Sequence, residues 1–276
     1  MFKTRLISGI ALLIVLATAL WCGNWLLWGL LLVISLMGVR ELYQAVGFGN
    51  ASLDNKRMDA MALAGYFFTI VLYGVLKFHC SESVILPVVL AALVVMMCLY
   101  VFMFPKYQPV DLFCAIFAVL YVPVMLSYVY LIREQEQGLF TVWLVFVCSW
   151  ICDTCAYCVG VTLGRHKLAP VLSPKKSIEG AVGGVVGSAI VGALYGFVIF
   201  KVDAALMGAN AIWAFAVVGA VGAGVSQIGD LTASAIKRHY GVKDYGTLIP
   251  GHGGILDRFD SVIVIAPVIY LILKFI

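Results

Sequence analysis

The sequence predicts an all-α, polytopic transmembrane protein with about nine membrane-spanning helices. Three observations carry that expectation. Hydrophobic residues make up 63% of the 276 positions and charged residues only 12%, whereas soluble domains carry about 25% charged residues. The apolar text falls into runs close to the ~20 residues that a helix needs to cross a bilayer. Most of the charges sit in the breaks between those runs. One soluble core cannot hide so many apolar runs, so a soluble domain is excluded.

Taken in order, Leu6–Cys22 and Trp25–Val39 read as a helical hairpin turning at Gly23 and Asn24. Lys3 and Arg5 ahead of an apolar core resemble a signal peptide. The apolar text resumes at once after Asn24, however, so the first helix is expected to be retained. A polar link over Arg40–Asp59 precedes a third span, Ala60–Leu76. The break Lys77–Ser83 leads to Val84–Phe104, and Lys106 and Pro109 separate that from Val110–Ile132. After Arg133–Gly138 a sixth span covers Leu139–Gly160. The basic segment Arg165–Ser177 leads to Ile178–Phe200, then come Ala209–Arg238 and Leu256–Phe275. Residues 1–138 are expected to form an N-terminal set of about five spans. Residues 139–276 are expected to form a catalytic region of about four, with its polar segments in the cytoplasm.

Charge bias gives an orientation. With the N-terminus inside, the outer side holds Lys77, Arg133, Lys201 and Lys274, and the other fourteen of the 18 Lys and Arg residues fall on the cytoplasmic side. The C-terminus is then outside. Topology alone is enough to explain the net charge of +4.

The chemistry is concentrated between Ser226 and Asp260. Four acids (Asp230, Asp244, Asp257, Asp260) stand here with Lys237, Arg238, Lys243 and Arg258, among six glycines and beside His239 and His252. Ionisable groups at membrane depth cost roughly 2.5–3.5 kcal/mol each, so they line interiors, cavities or functional sites. Ser226, Asp230, Ser234 and Arg238 recur every fourth position and form one polar helical stripe, flanked by Gln227 and Lys237. Asp257 and Asp260 share a face at the start of the last helix, where acids also complement unpaired backbone N–H groups. The glycine-rich link between the helices suits a loop whose backbone closely approaches a ligand. Its N–H groups can cradle phosphate oxygens, with Lys243 and Arg258 adding full charges. Carboxylates beside phosphate-binding bases point to Mg²⁺, which is often held by one or two carboxylates plus the substrate's own phosphates.

Two further segments carry polar chemistry. Asp153 lies inside the sixth span with Tyr157 one turn later on the same face. That carboxylate can assist a metal, orient a lysine or make an interhelical hydrogen bond. Arg165, Lys167, Lys175 and Lys176 against Glu179 leave a local excess of positive charge. Anchoring to anionic lipid explains such a cluster as readily as substrate binding does. Ser173-Pro174 is expected to fix a turn that aims the lysines, and Glu179 to hold one of them.

The run Ser234-x-Ile236-Lys237-Arg238-x4-Lys243-Asp244-x-Gly246-x2-Ile249-Pro250-x-His252-Gly253-Gly254-Ile255-x-Asp257-Arg258-Phe259-Asp260 resembles the signature of the phosphatidate cytidylyltransferases, or CDP-diacylglycerol synthases. Gln227-x-Gly229-Asp230-Leu231, Asp153-Thr154-x-Ala156-Tyr157 and Ser173-Pro174-Lys175-Lys176-Ser177-x-Glu179-Gly180 are similar to runs of the same family. The first 140 residues or so match only as hydrophobic spans. Family members often place glycine just before the lysine of the basic segment, where this chain has His166-Lys167.

The resemblance implies an inner-membrane homodimer that makes CDP-diacylglycerol and pyrophosphate from CTP and phosphatidate. It implies Mg²⁺ as cofactor, with K⁺ as companion, and no nucleic-acid partner. Asp230 and Asp257 match the metal-binding aspartates, with Asp153 and Asp260 as further candidates. Lys237 and Arg238 join Asp230 and Asp257 as catalytic candidates. Ser173, Lys175, Lys176, Lys243, Asp244, His252, Gly253, Gly254 and Arg258 are the substrate-binding candidates.

Other motifs have plainer readings. Cys148, Cys152, Cys155 and Cys158 carry overlapping C-x-x-C spacings, but one helix cannot wrap four ligands around one ion, so packing is expected. Gly180, Gly183, Gly184, Gly187, Gly192 and Gly196 suit close helix contact rather than a dinucleotide loop. A transporter and a CTP-dependent polyprenol or phytol kinase are the competing classes. The first would move a solute without making a cytidylyl product, and the second would leave CDP and a phosphorylated lipid.

Overall fold

A computed structural model describes residues 2–48, 59–79, 81–202, 211–249 and 253–275. Its helices are α1 (Phe2–Cys22), α2 (Asn24–Ala45), α3 (Ala60–His79), α4 (Ile85–Phe102, entered through the 3₁₀ turn Glu82–Val84), α5 (Pro109–Val119), α6 (Met125–Arg133), α7 (Gly138–Leu163), α8 (Ile178–Val202), α9 (Ala211–His239) and α10 (Leu256–Leu273). Between α7 and α8 lie two short strands, β1 (Lys167–Ala169) and β2 (Ser173–Ser177). The all-α, multi-spanning architecture is as expected, with one short exception between α7 and α8. The basic segment is a β-hairpin, and Ser173-Pro174 opens a strand instead of forming a turn.

Seven helical stretches among the described residues are long and apolar enough to cross a membrane, not about nine. They are Asn24–Ala45, Ala60–His79, Glu82–Phe102, Pro109–Arg133, Gly138–Leu163, Ile178–Val202 and Ala211–His239. The first apolar stretch, Ile7–Cys22, is shorter than these. The last helix carries Asp257, Arg258 and Asp260 in its first turns, too many ionisable groups for its length.

Residues Met1–Glu134 with His239–Phe259 form one compact unit, and Gln135–Arg238 with Asp260–Ile276 form another. In the first unit, α2 supplies a buried line through Leu27, Leu31, Ile34, Gly38 and Leu42, the spacing of one helical face. α3, α5 and α6 pack around it. The hairpin turn lies where the sequence places it, with Gly23 and Asn24 both at positive φ. Arg133 ties that turn by donating from Nε to the Leu20 carbonyl at 2.7 Å. α5 and α6 are one span with a π-helical turn at Leu120–Val124 around Pro123, which cannot donate an N–H to the helix ladder. Asp59, just before α3, accepts from Tyr107 Oη at 2.7 Å and pairs with Lys106 at 2.6 Å. That hydrogen bond holds the Lys106 ammonium above its ordinary pKa. α4 is mostly exposed along Leu86, Leu90, Val94 and Val101, as a lipid-facing helix should be.

The second unit is built on the contact between α7 and α8. Gly180, Gly184, Ser188, Gly192 and Gly196 make the buried line of α8. A Cβ at Gly184 would lie 2.9 Å from Cys152 Sγ, and one at Gly192 would lie 2.3 Å from the Phe215 carbonyl oxygen. The small-residue spacing therefore lets α7 and α9 approach α8 closely, as expected. Three of the four cysteines of α7 make packing contacts, while Cys158 is exposed. Cys148 Sγ faces the Val218 carbonyl, Cys152 Sγ the Ala223 carbonyl, and Cys155 the surface at Gly187. Beyond Asp260, α10 is buried at Val262, Ile263, Ile265, Ala266 and Ile269.

Candidate functional site

In the second unit the polar residues gather around the hairpin. β1 pairs antiparallel with β2, Lys167 opposite Ser177 and Ala169 opposite Ser173. Along β2, Lys175 is exposed and Lys176 half-buried. Lys176 turns inward and its ammonium pairs with Asp230 of α9. Ser177 ends the strand and starts α8, its Oγ accepting the Gly180 N–H at 3.1 Å, an N-cap contact. Glu179 does not hold a lysine. It accepts the backbone N–H of Arg165 at 3.1 Å and pairs with His166 Nδ1 at 2.6 Å. The histidine that stands where the resembling family often has glycine thus clamps the base of the hairpin.

Of these residues, Lys167, Lys175, Lys176, Ser177 and Gly180 line a cavity of ≈ 450 Å³. Lys167, Lys175, Lys176, Asp153 and Gln227 supply its polar wall, and Tyr157, Val161 and Leu168 part of its apolar one. Asp153 and Tyr157 share a helix face, as their spacing predicts, and both open on the cavity. Gln227 is anchored by donating to the Ala181 carbonyl at 3.0 Å.

The polar stripe of α9 is rotated slightly from its expected line. Ser226, Gly229, Ala233 and Lys237 are its buried positions, so Lys237 faces inward while Arg238 is exposed. The buried Ser226 hydroxyl has no hydrogen-bond partner among the described residues. Asp260 is only 8% exposed. Its Oδ1 accepts the Ser261 N–H at 2.7 Å, and the charges of Asp230, Lys237 and Asp153 act on it. It is therefore an interior carboxylate in a charged cluster. Burial of this kind is tolerated only where partners compensate it.

The glycine-rich loop belongs to the first unit and is organised by two carboxylates. Asp257 Oδ2 accepts the N–H of Tyr245 at 2.8 Å and of Gly254 at 3.0 Å, which closes the loop on the start of α10. Gly253, at φ +85°, lies beside Asp257 and Asp244; the positive φ explains the glycine there. Ile249 and Gly253 pair across a single antiparallel bridge. Lys243, Asp244 and Arg258 are carried by this loop and the first turn of α10, while His252 lies outside the described residues.

The second carboxylate, Glu41, was not singled out from the sequence. The first residues of the expected polar link, Arg40–Ala45, are helical, since α2 continues to Ala45. Glu41 is 7% exposed and accepts the N–H of Ile255 at 2.9 Å and of Leu256 at 2.8 Å. The available signal was a lone acid followed by Leu42 and Tyr43, apolar residues that extend the helix.

Among the described residues, no group of three or more His, Cys, Asp or Glu is assembled to hold a metal ion by itself. The donor chemistry around Asp230 nevertheless suits a hard cation that substrate helps to bind. Its carboxylate already holds a cation, the Lys176 ammonium. Two further carboxylates, Asp260 and Asp153, belong to the same charged cluster. Mg²⁺ takes oxygen ligands and commonly completes its shell with waters and substrate phosphates.

Comparison with known proteins agrees with the resemblance. The phosphatidate cytidylyltransferase of Staphylococcus saprophyticus subsp. saprophyticus is 39% identical over 149 residues, 54% of each chain. Those of Staphylococcus haemolyticus and Staphylococcus aureus are 40% identical over 148 residues and 38% over 149, again 54% of each chain. The chain thus spans about half the length of these relatives in the match. The cytidylyltransferase family as a whole matches residues 3–276, and the chain belongs to that family.

Proposed function

We propose that this protein transfers the cytidylyl group of CTP to phosphatidate, giving CDP-diacylglycerol and pyrophosphate. The observation that carries the reading is the pairing of Lys176 with Asp230 at a cavity that also presents Lys167 and Lys175. Residues from separate sequence runs are thereby assembled into a place for anions. Family membership and the names of the relatives support the same reaction.

A phosphatidate phosphate oxygen attacks the α-phosphorus of CTP. A new P–O bond forms there while the bond from that phosphorus to the α–β bridging oxygen breaks, its electron pair leaving on pyrophosphate. The attacking phosphate is already ionised, so no general base is needed and none is assigned to His252. The protein's task is to align two polyanions and offset their charge. The hairpin cavity suits the lipid phosphate, because it joins three lysines to the apolar surface of Val161, Leu168 and Tyr157. Ser173 lies on the same hairpin. Lys176 exchanges Asp230 for the incoming phosphate. Loop N–H groups with Lys243, Asp244, Gly253, Gly254 and Arg258 are assigned to the nucleotide, and Lys237 and Arg238 to charge compensation.

Mg²⁺, with K⁺ as companion, would be held by Asp230 together with the substrate's phosphates, with Asp260 and Asp153 as supporting carboxylates, and would offset the negative charge that builds up on the transferring and leaving phosphates. Asp257 is assigned to the metal by its place in the signature. The enzyme is proposed to act as a homodimer in the cytoplasmic membrane, N-terminus inside and C-terminus outside. Incubating the purified protein with labelled CTP, phosphatidate and Mg²⁺ tests the reaction. CDP-diacylglycerol and pyrophosphate are expected in equal amounts, and CDP with a phosphorylated lipid would overturn the assignment.

A further inference from the structure

A carboxylate removed from water loses far more hydration than a neutral group, and it survives burial only when charge-assisted hydrogen bonds replace water. Glu41 is such a group, and its partners lie far away in sequence. It sits on α2, outside the sequence runs that carry the acids and bases of the site. Its two oxygens receive the N–H groups of Ile255 and Leu256, two of the donors that the start of α10 cannot satisfy within its own helix.

The same carboxylate fills the space on both sides of the glycine-rich loop. A Cβ at Gly246 would lie 2.5 Å from Glu41 Oε1, and one at Gly254 would lie 2.5 Å from Glu41 Oε2. Both glycines therefore fit Glu41 as well as the loop. Asp257, two residues beyond Ile255, uses its carboxylate to collect the N–H groups of Tyr245 and Gly254. One acid thus fixes the loop from α2 and the other from α10, and the charges of Asp257 and Arg40 both act on Glu41. A structural cap alone could be supplied by an uncharged Ser or Asn next to the helix. A buried acid from a separate helix, matched to two glycines, sets position.

We infer that Glu41 is a positioning residue of the reaction: from α2 it holds the first turn of α10 and both limbs of the glycine-rich loop, and so places Asp257, Arg258 and Lys243. The inference rests on the proposed function for the reaction concerned, but the anchoring itself does not.

The test uses the full chain in detergent. Glu41→Gln keeps the size but turns one acceptor into an amide donor facing an N–H. Deuterium exchange in the peptide covering residues 253–259 should speed up about tenfold or more. Turnover per folded molecule should fall about 10- to 100-fold, the scale of a small misplacement of reacting groups, with the loss mainly in kcat. Ser35→Ala is the control, removing another buried polar group of α2, which bonds Tyr73 Oη at 2.9 Å. It should lower the melting temperature and leave both readouts unchanged.

Should Glu41→Gln not fold, Gly254→Ala presses on the same carboxylate with Glu41 intact and should give the same pair of changes. Faster exchange with normal turnover would overturn the positioning role, as would lost turnover with unchanged exchange. If the wild type makes no CDP-lipid, the proposed function falls. Exchange at residues 253–259, with binding of a fluorescent CTP analogue, then still decides whether Glu41 places the loop.

Discussion

The ammonium of Lys176, on β2, rests against the carboxylate of Asp230, on α9. Each side chain is about three-tenths exposed, so the pair is neither sealed in the interior nor free in solvent. In the proposed reaction a substrate phosphate takes the place of Asp230 beside Lys176, and a cation that of Lys176 beside Asp230. Lys176→Gln and Asp230→Asn should each lower kcat about 10²-fold, the cost of losing one electrostatic contact with the transition state. The double variant should lose less than the product of the two, because both side chains serve one cluster. Strictly multiplicative losses in kcat/KM would separate the two residues.

Asp260 separates two roles, a supporting carboxylate and a helix-start acid. Its burial near Asp230, Lys237 and Asp153 makes it more than a helix-start acid, for which a mild, stability-only effect would follow. Asp260→Asn should raise the Mg²⁺ concentration for half-maximal activity about tenfold, as expected for the loss of a supporting carboxylate. The protein should still insert and purify, since a neutral amide costs less to bury. An unchanged Mg²⁺ titration would return Asp260 to a purely structural role.

Asp257→Asn should act through the loop as well as through charge. An amide accepts hydrogen bonds less strongly than a carboxylate, so the contacts from Tyr245 and Gly254 weaken. Turnover should fall about 10²-fold, and limited proteolysis between Lys243 and Arg258 should quicken. Normal turnover in Asp257→Asn would remove this residue from the site.

Glycines should separate into two classes. Gly246→Ala puts a methyl group into the Glu41 carboxylate, so it should destabilise by about 1–3 kcal/mol, as overpacking does. Gly74→Ala and Gly224→Ala meet nothing within 4 Å and lie inside helices, so they should be neutral or stabilising by roughly 0.5–1 kcal/mol. Thermal unfolding in detergent reads the difference. Equal effects in the two classes would contradict the packing around Glu41.

Much of the helical order was legible in the sequence because apolar runs and charged breaks are dictated by the bilayer. The turn at Gly23 and Asn24, the close-packing glycines of α8 and the shared face of Asp153 and Tyr157 follow from local spacing alone. Glu41 was not legible in that way. Its partners are backbone groups more than two hundred positions away, and a lone acid after Arg40 looks like the start of a link. The β-hairpin was missed because five residues with Pro174 and two lysines give no strand pattern. What forms it is pairing with β1 and the clamp of Glu179 on His166. The span count came out too high because the described apolar stretch Ile7–Cys22 is shorter than the other spans and Leu256–Phe275 begins with three ionisable groups.

Orientation is tested by accessible cysteines in a background without other reactive thiols. Positions Lys167 and Lys243 should label from the cytoplasmic side, and Gln135 from outside. Labelling of Lys167 and Lys243 from opposite sides would contradict the charge-bias topology.

The central claim is tested most directly by product analysis of the purified protein in detergent, where transport across a membrane is impossible. With CTP labelled in the α-phosphate, phosphatidate and Mg²⁺, the label should pass into a CDP-lipid while unlabelled pyrophosphate appears in equal amount, and chelation of Mg²⁺ should stop both. Label retained in CDP, or no product under conditions in which the Staphylococcus aureus relative is active, would contradict the account.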